Sequence, residues 1–225
     1  MSIAQNIAEF QEILKNTNCR LIAVSKTQPN EAILEAYEAG QKVFGENKVQ
    51  ELVSKQETLP ADIEWHLIGH LQTNKVKYIA PFVHTIQSVD SLKLLQEIEK
   101  QAAKHERGIN CLLQIYIAEE ESKFGLSPEE AKALLQSEEF KAMQHVNITG
   151  VMGIATNTSS ETQLRKEFRY LRKCFEELKT IFFPDKAAFK EISMGMSSDY
   201  QLAIAEGSTM IRVGSSIFGA RNYAK

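Results

Sequence analysis

The chain has 225 residues, 43% of them hydrophobic and 24% charged, with a formal net charge of −3. This charge gives no basic field to attract nucleic acid or an anionic membrane, and no apolar run reaches the roughly 18 residues of a membrane span. Length and composition suit one soluble domain over residues 1–225, and Met1-Ser2-Ile3-Ala4-Gln5-Asn6 lacks the basic stretch and apolar core of a secretory signal. Cys19, Cys111 and Cys174 are odd in number and widely spaced, which suits reduced thiols in a cytoplasmic protein and no disulfide framework or metal site.

In chain order, Ile3, Ile7, Phe10, Ile13 and Leu14 predict a helix over Ile3 to Lys15. Leu21–Ser25 is a short apolar run closed by a turn signal, Gln28-Pro29-Asn30, so it reads as a buried parallel strand. The helical pattern Glu31 to Gly40 follows. Further strands are expected at Lys42–Gly45, Glu64–Ile68, Thr85–Val89, Cys111–Ile117, Ile148–Ile154, Glu191–Met194 and Met210–Val213. Amphipathic helices are expected at Ser91–His105, Ser127–Gln136, Ser160–Lys179 and Ser198–Glu206. Ser127-Pro128 with Glu130, and Ser160 before Glu161, mark two of their starts. Eight strands alternating with helices predict a parallel α/β fold. The expected architecture is a single (β/α)8 TIM-type barrel with an extra N-terminal helix, although the count alone leaves a doubly wound sheet open.

Lys26 ends the first strand, at the edge where α/β folds carry their chemistry. Partial desolvation there lowers an amine's pKa and makes it a Schiff-base nucleophile. Ser193-Met194-Gly195-Met196-Ser197-Ser198-Asp199 and Gly214-Ser215-Ser216 are small-residue turns after consecutive strands. Their free backbone N–H groups and hydroxyls form an anion cradle, which barrel closure brings beside Lys26. Arg212 lies within an apolar strand and needs a partner. It can pair with Glu46 inside the barrel, or face an aromatic nitrogen of a phosphorylated cofactor. An amine for an aldehyde, a phosphate cradle and an arginine for a ring nitrogen together specify pyridoxal 5′-phosphate (PLP).

The segments Ala23–Thr27, Phe44–Glu51, Trp65–Lys75, Gln87–Ser91, Gly150–Thr156, Ser193–Asp199 and Arg212–Gly219 extend this pattern over nearly the whole chain. With them the sequence resembles the pyridoxal phosphate homeostasis proteins (the YggS/PROSC family). These are relatives of the alanine racemase N-terminal barrel, PLP fold type III without the C-terminal β-domain. The resemblance implies a Lys26 aldimine, Arg212 at the pyridine nitrogen, Ser197, Gly214 and Ser215 at the phosphate, and Asn47 near the ring. Lys48 stands where many members have tyrosine, Gln87 where histidine is frequent, and His70 at a variable place.

Other residues read as structural. His66 and His70 are four apart but straddle a strand end, which does not suit shared metal ligation. His84, His105, His145, Lys75 and Lys77 are expected in solvent, and Trp65, Met143, Met152, Met194 and Met196 in packing. Lys123 reads as surface charge, with a secondary amine near the site as the alternative.

A racemase needs a second acid–base group on the far face of its substrate. The resemblance places that group on a separate C-terminal domain, which the chain is expected to lack. Tyr223, close to the end, is not expected to be held in place. The expected function is therefore PLP binding and homeostasis without net catalysis, with a PLP-dependent amino-acid racemase as the alternative. Expected partners are PLP and PLP-dependent apoenzymes, with no nucleic acid or membrane, and the expected state is a cytoplasmic monomer.

Overall fold

In the computed structural model, which describes residues 2–119 and 124–219, the strand–helix alternation closes on itself. The strands are β1 (Arg20–Val24), β2 (Val43–Glu46), β3 (Glu64–Leu67), β4 (Thr85–Val89), β5 (Ile109–Gln114), β6 (Val146–Met152), β7 (Glu191–Met196) and β8 (Met210–Val213). All pair in parallel with their sequence neighbours, and β8 returns to β1 through Arg20↔Met210 to Ala23↔Val213. This is the (β/α)8 barrel expected, and the open-sheet alternative falls.

The helices are α1 (Ile3–Leu14), α2 (Asn30–Glu38), α3 (Val49–Gln56), α4 (Val76–Ile79), α5 (Leu92–Lys104), α6 (Pro128–Gln136), α7 (Glu138–Lys141), α8 (Glu161–Phe182), α9 (Tyr200–Ala205) and α10 (Ser215–Phe218). A 3₁₀ turn, Thr73–Lys75, leads into α4. Local chemistry sets several starts. Ser2 and Gln5 form a capping box on α1, and Ser127 and Glu130 another on α6 with Pro128 in its first turn. Ser91 and Ser160 accept amide hydrogens at the starts of α5 and α8. The extra helix α1 buries Ile7, Phe10 and Leu14 and is tied to α10 by Asn6 Nδ2, which donates to the Ile217 carbonyl at 2.8 Å.

Strand alternation divides the apolar residues between two cores. Leu21, Ala23, Phe44, Trp65, Leu67 and Ile86 pack in the layer between sheet and helices. Ile22, Leu112, Met152 and Met210 fill the barrel interior. Buried polar residues share that interior: Arg212 donates to Ser193, Ser193 to Gln87, and the Gln87 amide contacts His66. Among the described residues, no helix is long and apolar enough to cross a membrane.

The expected fifth strand, Cys111–Ile117, forms as Ile109–Gln114. Beyond Gln114 the strand gives way to an isolated bridge, Ile115 to Leu126, while Ile115 and Ile117 stay buried. The helices α3 and α7 and the short 3₁₀–α4 unit were not expected.

Candidate functional site

The carboxyl ends of β1, β7 and β8 open onto a cavity of about 290 Å³. Lys26, Asn47, Ser197, Arg212, Gly214 and Ser215, the residues singled out in the sequence, all line it. Ile68, Ile154 and Met196 add apolar wall, so Met196 belongs to the cavity and not simply to packing as expected.

The backbone on both sides of Lys26 is clamped. Ser25 Oγ donates to Glu46 Oε1 at 2.6 Å, and the Ser25 carbonyl accepts from Lys55 Nζ at 2.7 Å. The Thr27 N–H donates to Glu51 Oε1 at 2.5 Å. Lys55 completes the network, 2.7 Å from both Glu46 Oε1 and Glu51 Oε1. Thr27 sits at φ 64°, a left-handed conformation unfavourable for a β-branched residue and held by these contacts. Burial pushes the Glu46 carboxyl up, against the lowering pull of Lys55 and Ser25.

Asn47 follows β2, and Gly69 lets the exit of β3 pass close to it. A Cβ at Gly69 would lie 2.4 Å from the Asn47 carbonyl oxygen. The two small-residue turns also touch each other, the Gly214 N–H donating to Ser197 Oγ at 3.2 Å. Asp199 shapes the first turn by accepting the Met196 N–H at 2.6 Å.

Arg212 is 5% exposed, and burial lowers its pKa to about 10 against the opposing charge of Asp199. It therefore remains a cation at neutral pH. Nη1 donates to Ser193 Oγ at 2.7 Å and Nη2 to the Gly153 carbonyl at 2.9 Å. The sequence alternative of an Arg212–Glu46 ion pair is not what forms, because Glu46 is taken by Lys55 and Ser25.

The histidines separate as well. His70 pairs with Asp90 at 3.1 Å and stacks on Phe124 with ring centroids 4.1 Å apart. His66 points into the barrel and stacks instead on His84, centroids 5.5 Å apart. His84 is thus half-buried rather than fully in solvent. Lys123 and Tyr223 lie outside the described residues. The Glu46–Lys55–Glu51 network went unanticipated; its one sequence signal is the Glu51/Lys55 spacing, a helical i,i+4 ion pair.

This barrel, with a strand-end lysine facing small-residue turns, has the architecture of the alanine racemase N-terminal domain, whose family model matches residues 1–222. A pyridoxal phosphate homeostasis protein of Pasteurella multocida is 38% identical over 100% of both chains. Another, of Aquifex aeolicus, is 41% identical, covering 93% of this chain and 90% of its own. PipY of Synechococcus elongatus, solved without PLP, superposes with a TM-score of 0.89 at 38% identity, covering 97% of this chain and 100% of its own. The PLP-bound form of PipY gives a TM-score of 0.87. Alanine racemase of Bartonella henselae shares the fold at 14% identity, with a TM-score of 0.73 over 98% of this chain and 60% of its own. The chain belongs to the pyridoxal phosphate homeostasis protein family.

Proposed function

We propose that the chain binds pyridoxal 5′-phosphate in the carboxyl-end cavity and serves intracellular PLP homeostasis, supplying or buffering the cofactor without net catalysis. The observation that carries this reading is the convergence of Lys26, Arg212 and the Ser197 and Gly214-Ser215 turns on one cavity. The donor set fits the ligand: an amine for the aldehyde, hydroxyls and backbone N–H groups for the phosphate, and a guanidinium for the ring nitrogen. The PLP-bound PipY structure and the names of the full-length relatives support the same ligand and role.

When bound, PLP supplies an electrophilic aldehyde and an electron-accepting ring. Lys26 would hold the aldehyde, and the contacts of Ser25 and Thr27 fix the backbone from which its side chain extends. Ser197, Gly214 and Ser215 would hold the phosphate and Asn47 would contact the ring. Arg212, a buried cation, would keep a proton off a ring nitrogen held against it and so weaken the electron sink.

Racemase chemistry needs a second proton-transfer group opposite Lys26. Among the described residues the cavity lining contains no histidine, tyrosine, cysteine, aspartate or glutamate, so the carrier reading is preferred. In this reading the chain is one barrel domain over residues 1–225 that works as a cytoplasmic monomer and passes PLP to apoenzymes. The buried free thiols of Cys19, Cys111 and Cys174 suit a reducing compartment. Incubation of PLP-loaded protein with D- and L-amino acids, followed by chiral chromatography, tests the reading. The expected turnover is negligible, whereas racemisation at roughly 1 s⁻¹ or more that disappears in Lys26→Ala would favour the racemase.

A further inference from the structure

At the opposite mouth of the barrel, three side chains converge that the PLP site does not use. Glu64 opens β3, His66 lies two residues further along the same face, and His84 precedes β4. One ligand-competent atom from each lies within 4.8 Å of the others. His66 is fully buried, and its Nε2 has no hydrogen-bond partner; the buried Glu64 Oε2 also lacks one. His84 Nε2 is 3.8 Å from that same Glu64 oxygen. Each histidine has its other nitrogen engaged: His66 Nδ1 is 2.8 Å from the Gln87 amide and His84 Nδ1 is 2.9 Å from Thr85 Oγ1. Each ring therefore keeps Nε2 for the space beside Glu64, steered by an outer partner in the manner of metal-bound imidazoles. The rings lie near-parallel with centroids 5.5 Å apart, so one of them must tilt for both lone pairs to meet at one ion.

We propose that Glu64, His66 and His84 form a binding site for a divalent transition metal of the zinc class. Two imidazole nitrogens and a carboxylate are a zinc-type donor set that leaves a position for water. Tetrahedral ligands on zinc stand roughly 3.3 Å from one another, so the three groups need to close by up to about 1.5 Å around the ion. His84 also lines a cavity of about 870 Å³ at this mouth, which gives the ion and its water a path in. Coordination through Nε2 places the remaining proton on Nδ1. Thr85 Oγ1 accepts it from His84; for His66 the Gln87 amide must turn end for end. That turn replaces the bond Ser193 Oγ donates to Gln87 with one Ser193 Oγ accepts, and releases the Ser193 hydroxyl proton to another acceptor. The nearest opposing charge is Arg20, whose Nη1 is 4.0 Å from Glu64 Oε2. Arg20 keeps a closer carboxylate in Glu191, 3.1 Å from Nη2, when the ion claims Glu64.

The test is titration of chelator-treated full-length protein with Co²⁺ as a spectroscopic probe, followed by displacement with Zn²⁺. The proposal expects one equivalent bound at micromolar concentration, visible d–d bands without a thiolate charge-transfer band, and a Zn²⁺-dependent rise in Tm. His84→Ala and Glu64→Gln alter half-exposed side chains and should leave the fold intact. Each should weaken Co²⁺ binding by at least about tenfold, the scale of losing a group that shapes a metal site. Absence of stoichiometric binding in the wild-type protein would overturn the site. So would thiolate ligation, or variants that bind as the wild type does.

Discussion

Lys55 places its ammonium 2.7 Å from Glu46 Oε1 where both side chains are almost wholly out of water, their exposures being 6% and 0%. The pair lies at the foot of the proposed PLP site, because the same ammonium holds the carbonyl of Ser25, one residue before Lys26. A buried ion pair of this kind costs desolvation on both sides and is stable only while both partners are present.

Lys55→Met strands the Glu46 carboxylate in the interior. The expected loss of stability is about 3–5 kcal/mol, read by urea unfolding. The double variant Lys55→Met/Glu46→Leu should recover most of that loss, while PLP affinity stays reduced because Ser25 has lost its anchor. A double variant no more stable than Lys55→Met would contradict this account of the pair.

Gly69→Ala should disturb the PLP site from outside its cavity. The added methyl would meet the Asn47 carbonyl oxygen at 2.4 Å, so the Asn47 backbone must move. PLP affinity should fall by roughly tenfold or more, equivalent to about 1.4 kcal/mol, measured by equilibrium dialysis. Gly219, which has nothing within 4 Å of a built Cβ, does not present this obstacle.

Arg212→Leu removes the donors to Ser193 Oγ and the Gly153 carbonyl and should weaken PLP binding by about 1–3 kcal/mol. Arg212→Glu should instead favour a proton on the ring nitrogen and change the absorption spectrum of bound PLP. Both effects are read in one absorbance titration. An unchanged spectrum and affinity in both variants would place Arg212 outside the site.

Glu99 supplies a pH dependence remote from the cofactor. Its carboxylate accepts the N–H groups of Gln144, His145 and Val146 at the approach to β6 and contacts His145 Nδ1 at 2.9 Å. Burial pushes its pKa up, but the backbone N–H groups and His145 outweigh that and leave it below the ordinary 4.5. A lowered carboxylate pKa contributes stability that is present above 4.5 and is lost as pH falls through the folded value. Glu99→Gln should therefore flatten the acid limb of the stability–pH curve below 4.5, and Glu99→Ala should cost roughly 1–3 kcal/mol at neutral pH.

The sequence makes the barrel legible because both faces of its strands are buried. Thr85–Val89 and Met210–Val213 form with the bounds their apolar runs suggest. The end of β5 was not legible, since Ile115 and Ile117 continue an apolar run after the chain has left the sheet. The helix α3 lacks a side-chain cap hydrogen bond at Lys48, so no start signal marked it. Lys26 and the two turns were legible as chemistry because strand ends and small-residue turns have positional meaning in α/β folds. Lys55 was not, because a lysine on an amphipathic helix normally lies in water. The His66–His84 stack was hidden for another reason. It depends on the β3–β4 register, His66 opposite Thr85, which no local pattern encodes.

The most direct test of the PLP-carrier account is borohydride reduction of the PLP-loaded protein, followed by peptide mapping. The account predicts that the reduced cofactor is fixed to the peptide containing Lys26 and that Lys26→Ala loses both the label and the yellow absorbance of the bound form. Label confined to other lysines, or a Lys26→Ala protein that keeps the wild-type absorbance, would contradict it.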